Sequence, residues 1–300
     1  MLSIDLTGKH AFVAGVGDDI GFGWSIAKTL YAAGAKVSIG TWTPMVKIFE
    51  QAWKLGKYDQ SRLLSDGRLF QLEGVFALDA SYDRPEDIPE EIRLSRRYAD
   101  YSRYSISEVA EDVAAKSGKI DILIHSLANA PEIKNDLIAT SREGYLSALS
   151  ASSYSWISLI RHFGPYFNPG ASAICLSFLA AQRTIPGYGG GMSSAKAALE
   201  NDTRMLAWEA GRTWQARVNC ISSGPMATRA SKAIGIIDSM ITYSQNNSPL
   251  QQDITGNDIA NMAAFLASPL AQAVTGSTFY VDNGLHSMGV APQLTTHPLA

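Results

Sequence analysis

Three observations predict one α/β domain built on a doubly wound parallel sheet. Short apolar, β-branched runs alternate with helical stretches along the whole chain, the pattern of parallel strands joined by right-handed crossovers. The first such run ends in a glycine-rich turn that opens a helix, the context a dinucleotide-binding turn requires. The chain has 300 residues, 46% hydrophobic and 18% charged, which suits a single large core. No break in composition marks a second domain. The expected fold is therefore a single-domain Rossmann-like α/β structure spanning residues 1–300.

Composition also excludes function classes. The net charge is −3 with no basic tract, which argues against nucleic-acid binding. No apolar run approaches the length of a membrane span. The first ten residues read as neither a signal peptide nor an Arg- and Ser-rich transit peptide, so a targeting segment is expected to be absent from this chain. The two cysteines, Cys175 and Cys220, lie in apolar strand-like runs and read as buried thiols. The five histidines show no metal-ligand spacing, and no metal site is expected.

Residues 10–15 are the first strand. Gly15-Val-Gly-Asp-Asp-Ile-Gly21-Phe-Gly23 follows, then a helix over 24–33. The glycines let backbone approach a pyrophosphate, and the helix N-terminus faces its charge. Their spacing is looser than G-x-G-x-x-G and matches the short-chain dehydrogenase/reductases. Residues 36–40 are the second strand. A ribose-binding carboxylate is expected near its end, but Thr41-Trp42-Thr43-Pro44 stands there instead. Trp42 can cover an adenine face by stacking, or pack the sheet edge. No Arg or Lys occupies this turn to meet a 2′-phosphate, which favours NADH over NADPH.

An amphipathic helix and polar connection fill 45–72. The third strand is expected over 75–80, with Asp79 and Ala80 at its end; Asp79 can meet an adenine amino group or cap a turn. Residues 82–104, rich in charge, Pro and Tyr, read as an inserted surface loop. Residues 120–128 form a central apolar strand. Ser126-Leu-Ala-Asn-Ala130 then falls at the carboxyl edge of the sheet, where open α/β sheets bind ligands. A long helix spans about 142–163. Strand five covers 172–177 and strand six 217–222. After strand six, Ser223-Gly-Pro-Met226-Ala-Thr228 can place backbone amides and a hydroxyl on a nicotinamide group. Residues 226–250 suit a substrate lid, amphipathic from 229 onward. A helix near 258–266 precedes the last strand, 278–284, and a tail after Met288 is expected to fray.

Between strands five and six stands Pro186-Gly-Tyr188-Gly-Gly-Gly-Met-Ser-Ser-Ala-Lys196. A helix is expected over 193–206, capped by Ser193 or Ser194. Tyr188 then lies on the loop before it and Lys196 in its first turns. Within one helix a pair eight residues apart could not meet one ligand, but the glycine run lets the backbone fold back. A tyrosine can donate to a carbonyl oxygen. A neighbouring ammonium can lower its pKa and hold sugar hydroxyls. Taken alone, an exposed loop and a solvated lysine fit equally well.

Ser126-Leu-Ala-Asn, Thr140-Ser-Arg-Glu-Gly-Tyr, Ser152-Ser-Tyr-Ser, the Tyr188–Lys196 stretch and Tyr280-Val-Asp-Asn-Gly together resemble the enoyl-acyl-carrier-protein reductases of type II fatty-acid synthesis. The likeness runs from about residue 6 to 289. It is greatest to the plastid form of plants and then to apicomplexan forms, including the insertions over 43–72 and 82–104. The resemblance implies hydride transfer from NADH to C3 of a trans-2-enoyl thioester. Tyr188 would stabilise the enolate oxygen and Lys196 would hold the nicotinamide ribose. Gly15, Gly21, Phe22, Trp42, Asp79, Ala80, Ser126, Leu127, Met226 and Thr228 would line the cofactor. Ala130, Phe178 and the lid would line the acyl pocket. It further implies an acyl-carrier-protein partner, a homotetramer and a plastid stroma, chloroplast or apicoplast.

The chain departs from the family pattern at two positions of note. Leu176-Ser-Phe178 replaces the usual Leu-Thr-Tyr, which removes a hydroxyl from the acyl pocket. Gly21-Phe-Gly23 replaces Gly-Tyr-Gly. Val16-Gly17 and Asn201 are milder changes. Two other readings stay open on sequence: a nucleotide-binding pseudoenzyme, against which the intact Tyr188 and Lys196 argue, and a carbonyl reductase of the same fold. The second requires Tyr-x-x-x-Lys, and no such pair occurs in the chain.

Overall fold

The computed structural model describes residues 4–289. In chain order the strands and helices are β1 (His10–Ala14), α1 (Phe22–Ala32), β2 (Lys36–Thr41), α2 (Val46–Lys54), α3 (Asp59–Arg62), β3 (Gly74–Ala77), α4 (Glu90–Arg93), α5 (Ile106–Ser117), β4 (Ile120–His125), α6 (Arg142–Leu149), α7 (Ser155–Phe163), β5 (Phe167–Phe178), α8 (Met192–Trp214), β6 (Arg217–Ser223), α9 (Arg229–Lys232), α10 (Ile237–Asn247), α11 (Gly256–Ala267) and β7 (Thr278–Val281). The seven strands form one sheet in the order β3-β2-β1-β4-β5-β6-β7, and every pairing is parallel. The doubly wound single domain read from the sequence is the fold observed.

Burial explains why the strands read as unbroken apolar runs. All six residues of β4 and all seven of β6 are buried, because helices cover both faces. α1 and α11 cover one face, where Ile26, Leu30, Ile259 and Ala263 meet Val13, Ile124 and Ile221. α5, α7 and α8 cover the other, with Val109, Trp156 and Leu199 against Phe12, Leu123 and Val218. The strand order reverses between β1 and β4. This is where an open α/β sheet leaves a crevice at the carboxyl ends of its strands.

Four expectations need correcting. Helix α5 was not anticipated, although Ser105 and Glu108 form a reciprocal capping box at its start. Residues 142–163 are not one regular helix: a π turn over Ser150–Tyr154 separates α6 from α7. α8 starts after Gly191, whose φ of 80° only glycine adopts easily, and no serine caps it. The Ser193 hydroxyl instead donates to the Tyr188 carbonyl at 3.0 Å. Finally, 82–104 is no plain surface loop. Ile88, Tyr98 and Tyr104 are buried against Val46 and Ala77 in a small core of their own.

The first insertion is likewise anchored. Trp24 of α1 packs against Trp53, Tyr58 and Phe70 with ring centroids 5.5–5.9 Å apart. Aromatic pairs of this geometry add to their area burial, so the segment is fixed against α1. The tail expected to fray beyond Met288 lies almost wholly outside the described residues.

Candidate active site

The carboxyl ends of β1, β4, β5 and β6 open into one cleft of about 530 Å³. The glycine turn after β1 forms its first wall. Gly15 has φ +100°, and a Cβ there would fall 2.1 Å from the Ser126 carbonyl oxygen, so β1 and β4 can approach this closely only with glycine. Gly21 is the N-cap of α1. No side chain caps that helix and no acid stands in its first turn. Its orphan amides and positive dipole end therefore remain available to an anion. Gly15, Gly21 and Phe22 all line the cleft.

The segment after β4 supplies Ser126, Leu127 and Ala130 to the same cleft. The π turn positions this edge: the Ser152 hydroxyl accepts from the Asn129 amide and donates to the Asn129 carbonyl, both at 2.9 Å. π turns recur at functional sites because they redirect a helix locally. Below it, His125 is fully buried, with Nε2 2.8 Å from the Ser155 hydroxyl. Burial, and secondarily Lys196, push its pKa down to about 3, so the imidazole is neutral at physiological pH.

The glycine run carries Tyr188 into the cleft. Gly187, Gly190 and Gly191 all have positive φ, and a Cβ on Gly189 would stand 1.9 Å from the Asn135 carbonyl oxygen. Only a bare backbone can turn this tightly against the 131–135 loop. The Tyr188 ring rests on Phe178 at 5.1 Å between centroids. Burial raises the phenol's pKa, and no cation offsets it. The expectation that Lys196 lowers that pKa is thus corrected: Tyr188 is a protonated hydrogen-bond donor at neutral pH.

Lys196 lines the same cleft from α8 and is buried. Its ammonium donates to the Leu176 carbonyl at 2.9 Å. Burial lowers its pKa, partly opposed by nearby Cys175, Cys220 and Glu200. Glu200, one turn further along α8, is buried; it accepts from the Ser177 hydroxyl at 2.6 Å and from the Gln182 amide at 2.7 Å. Sequence reading missed this carboxylate, although a Lys and a Glu four apart on one helix share a face.

Met226 and Thr228 complete the wall after β6. Thr228 and Ser231 bond each other's backbone amides at 3.0 and 2.7 Å, which ties the start of α9 to this wall. Ile234, Ile237 and Met240 add an apolar side beside Ala130 and Phe178. Arg229 reaches across to Asp18 of the glycine turn at 2.9 Å, a bridge with no signal in the sequence.

Trp42 lines the far end of the cleft, where β2 stops. Asp79 and Ala80 do not line it. Asp79 is buried and engaged within the protein: one oxygen accepts from the Trp42 indole at 3.2 Å and the Tyr98 hydroxyl at 2.6 Å, the other from the Ser81 amide. Ala80 packs against the α5–α7 side of the core. The turn itself carries no Arg or Lys, as read, but Arg97 of the second insertion lies over the Trp42 ring at 4.8 Å. Among the described residues no group of three or more His, Cys, Asp or Glu side chains is placed to hold a metal ion, and no helix is long and apolar enough to cross a membrane.

Comparison with known proteins agrees with this geometry. Residues 101–286 match the family model described as enoyl-(acyl carrier protein) reductase. The chain is 59% identical to the chloroplastic NADH enoyl-acyl-carrier-protein reductase of Arabidopsis thaliana, over 97% of this chain and 74% of that protein. It is 35% identical to an NADH enoyl-acyl-carrier-protein reductase of Nostoc, over 96% of this chain and all of that protein. The crystal structure of Plasmodium berghei enoyl-acyl-carrier-protein reductase with triclosan superposes with a TM-score of 0.91 at 46% identity, covering 94% of this chain and 98% of that one. The chain belongs to the enoyl-acyl-carrier-protein reductase family.

Proposed function

We propose, from that membership and from the cleft, that this chain is an NADH-dependent reductase of the C2=C3 double bond of trans-2-enoyl thioesters carried on acyl-carrier protein. The observation that carries the reading is the convergence of Tyr188, Lys196 and the glycine turn on one cleft with an apolar side. The residues fit a dinucleotide: a close-packed glycine turn, an uncapped helix N-terminus, and an indole at the far end. Bound NADH supplies the hydride that reduces C3.

The chain's own groups then act as follows. The Tyr188 hydroxyl, a phenol of raised pKa and so protonated at neutral pH, donates to the thioester oxygen as negative charge develops there. Lys196, held by the Leu176 carbonyl, retains further N–H donors for the nicotinamide ribose. Leu127, Phe178 and Ile237 exclude water from the reacting carbons. The short α9 and the following α10 act as the lid over the acyl chain, tied down by the Arg229–Asp18 pair.

Two finer statements belong to the same proposal. Leu146, Met205 and Trp208 are each exposed on α6 and α8, apolar side chains that a homotetramer interface would cover. The names of the plant relatives support a plastid location.

The test follows NADH oxidation with a short-chain enoyl-CoA and separately with a ketoacyl thioester. Oxidation with the enoyl substrate alone supports the proposal. Oxidation with the ketoacyl substrate instead would make the chain a carbonyl reductase, and cofactor binding without turnover would make it a pseudoenzyme.

A further inference from the structure

The second insertion meets the cleft-lining Trp42 through Arg97 and, by way of Asp79, through Tyr98. Tyr98 is buried in the insertion's own core, its ring 5.1 Å from Tyr104. A salt bridge between Lys47 of α2 and Asp100 closes the same segment onto the domain. The neighbouring Arg97 therefore projects from a fixed backbone, and its guanidinium lies 4.8 Å over the Trp42 ring. No salt bridge to that guanidinium appears among the described residues. The indole N–H is held separately: it donates to Asp79, and the same carboxylate oxygen accepts from the Tyr98 hydroxyl.

We propose that Arg97, Tyr98 and Asp79 are positioning residues for the adenosine half of the cofactor, clamping the Trp42 indole as a stacking platform. This rests on the reading that NADH occupies the cleft. Trp42 is 44% exposed and follows a strand end, so packing alone would leave its rotamer free. The clamp fixes it by a cation over one face and an acceptor at its edge. The indole lines the cleft and is 44% exposed, which leaves ring surface for a planar base. Ordering is completed on folding instead of on binding, which favours affinity without touching the chemistry at Tyr188. The insertion over 82–104 thereby gains a task in cofactor recognition.

The test uses Arg97→Met, which keeps the aliphatic stem, Arg97→Lys, and Tyr98→Phe, each checked for an unchanged melting temperature. With NADH, Arg97→Met and Tyr98→Phe should raise KM by roughly three- to tenfold, the cost of re-ordering one large side chain on binding, with kcat unchanged. Arg97→Lys should recover part of the loss. With reduced nicotinamide mononucleotide, which lacks the adenosine half, every variant should match wild type. Calorimetric Kd for ADP-ribose should weaken in parallel with the NADH KM. That binding measurement stands even if no enoyl substrate is turned over, so failure of the clamp and failure of the proposed activity are separable. Folded variants with unaltered ADP-ribose binding would overturn the proposal, as would equal losses with the mononucleotide.

Discussion

Tyr188→Phe gives the sharpest test of the proposed chemistry, because the structure isolates the hydroxyl. The phenol ring packs on Phe178, and a phenyl ring retains that contact. No hydrogen bond to the hydroxyl appears among the described residues, and burial raises its pKa, so its removal breaks no bond seen there. Stability should then stay within about 0.5 kcal/mol of wild type, as for substitutions that create no cavity and orphan no partner. What is lost is one preorganised donor to an oxygen that gains charge in the transition state. Such a donor is worth on the order of 100- to 1000-fold in rate, about 2.7–4 kcal/mol. The assay is single-turnover oxidation of NADH with saturating enoyl thioester, paired with calorimetric NADH binding and a melting curve. The expected result is a rate lower by that factor, an unchanged Kd and an unchanged melting temperature. A rate within a few-fold of wild type would refute the donor role, and a large loss of NADH affinity would place Tyr188 on the cofactor instead.

Other tests address its neighbours. Lys196→Ala should weaken NADH binding and slow turnover together, and Lys196→Arg should rescue poorly because a planar fork replaces a compact ammonium; calorimetry showing full NADH affinity in the alanine variant would remove the ribose role. Because burial lowers the Lys196 pKa below 10.5, NADH affinity in wild type should decline as pH rises through that lowered value, ahead of an exposed lysine's titration. Phe178→Tyr restores the family's hydroxyl beside Tyr188; a gain in saturated turnover is the expected result, and an unchanged rate would make Phe178 a wall of the acyl pocket and nothing more. His125 stays neutral in the fold down to about pH 3 but takes up a proton near 6.5 when unfolded. Its contribution is therefore present above 6.5 and lost as pH falls towards 3. Urea midpoints for His125→Asn should fall less steeply over that window than those of wild type, and parallel slopes would rule His125 out.

The sheet was legible because its strands are buried on both faces. Runs such as 120–125 and 217–223 carry no ambiguity between strand and helix once the flanking glycines are counted. The walls at the strand ends followed directly, since Gly15, Ser126 and Met226 sit at positions that topology alone assigns to the crevice. Elements whose stability comes from elsewhere were not legible. α5 is short and mixed in composition, and its start is fixed by a Ser105–Glu108 box that a scan for apolar periodicity passes over. The insertion 82–104 looked solvated because its few buried residues are tyrosines and one isoleucine spaced among charges. Their partners, Val46 and Ala77, lie in other elements and cannot be paired with them by spacing.

The site divides along the same line. Tyr188 and Lys196 are joined by a glycine run short enough to read as a single device, so their convergence was foreseeable. The state of the phenol was not. A tyrosine eight residues from a lysine suggests a lowered pKa, whereas the fold gives the ammonium a carbonyl and a carboxylate neighbour of its own and leaves the phenol to burial. The phenol is protonated at neutral pH in either case and can donate to a developing oxyanion, and the raised pKa extends that state to higher pH. The adenine end repeats the lesson in reverse. The turn at Trp42 carries no cation in sequence, yet in space Arg97 arrives over its ring from a separate insertion that spacing could not pair with it. Local motifs therefore locate the chemistry of this cleft, and contacts between distant segments set the protonation and rigidity with which its groups meet a ligand.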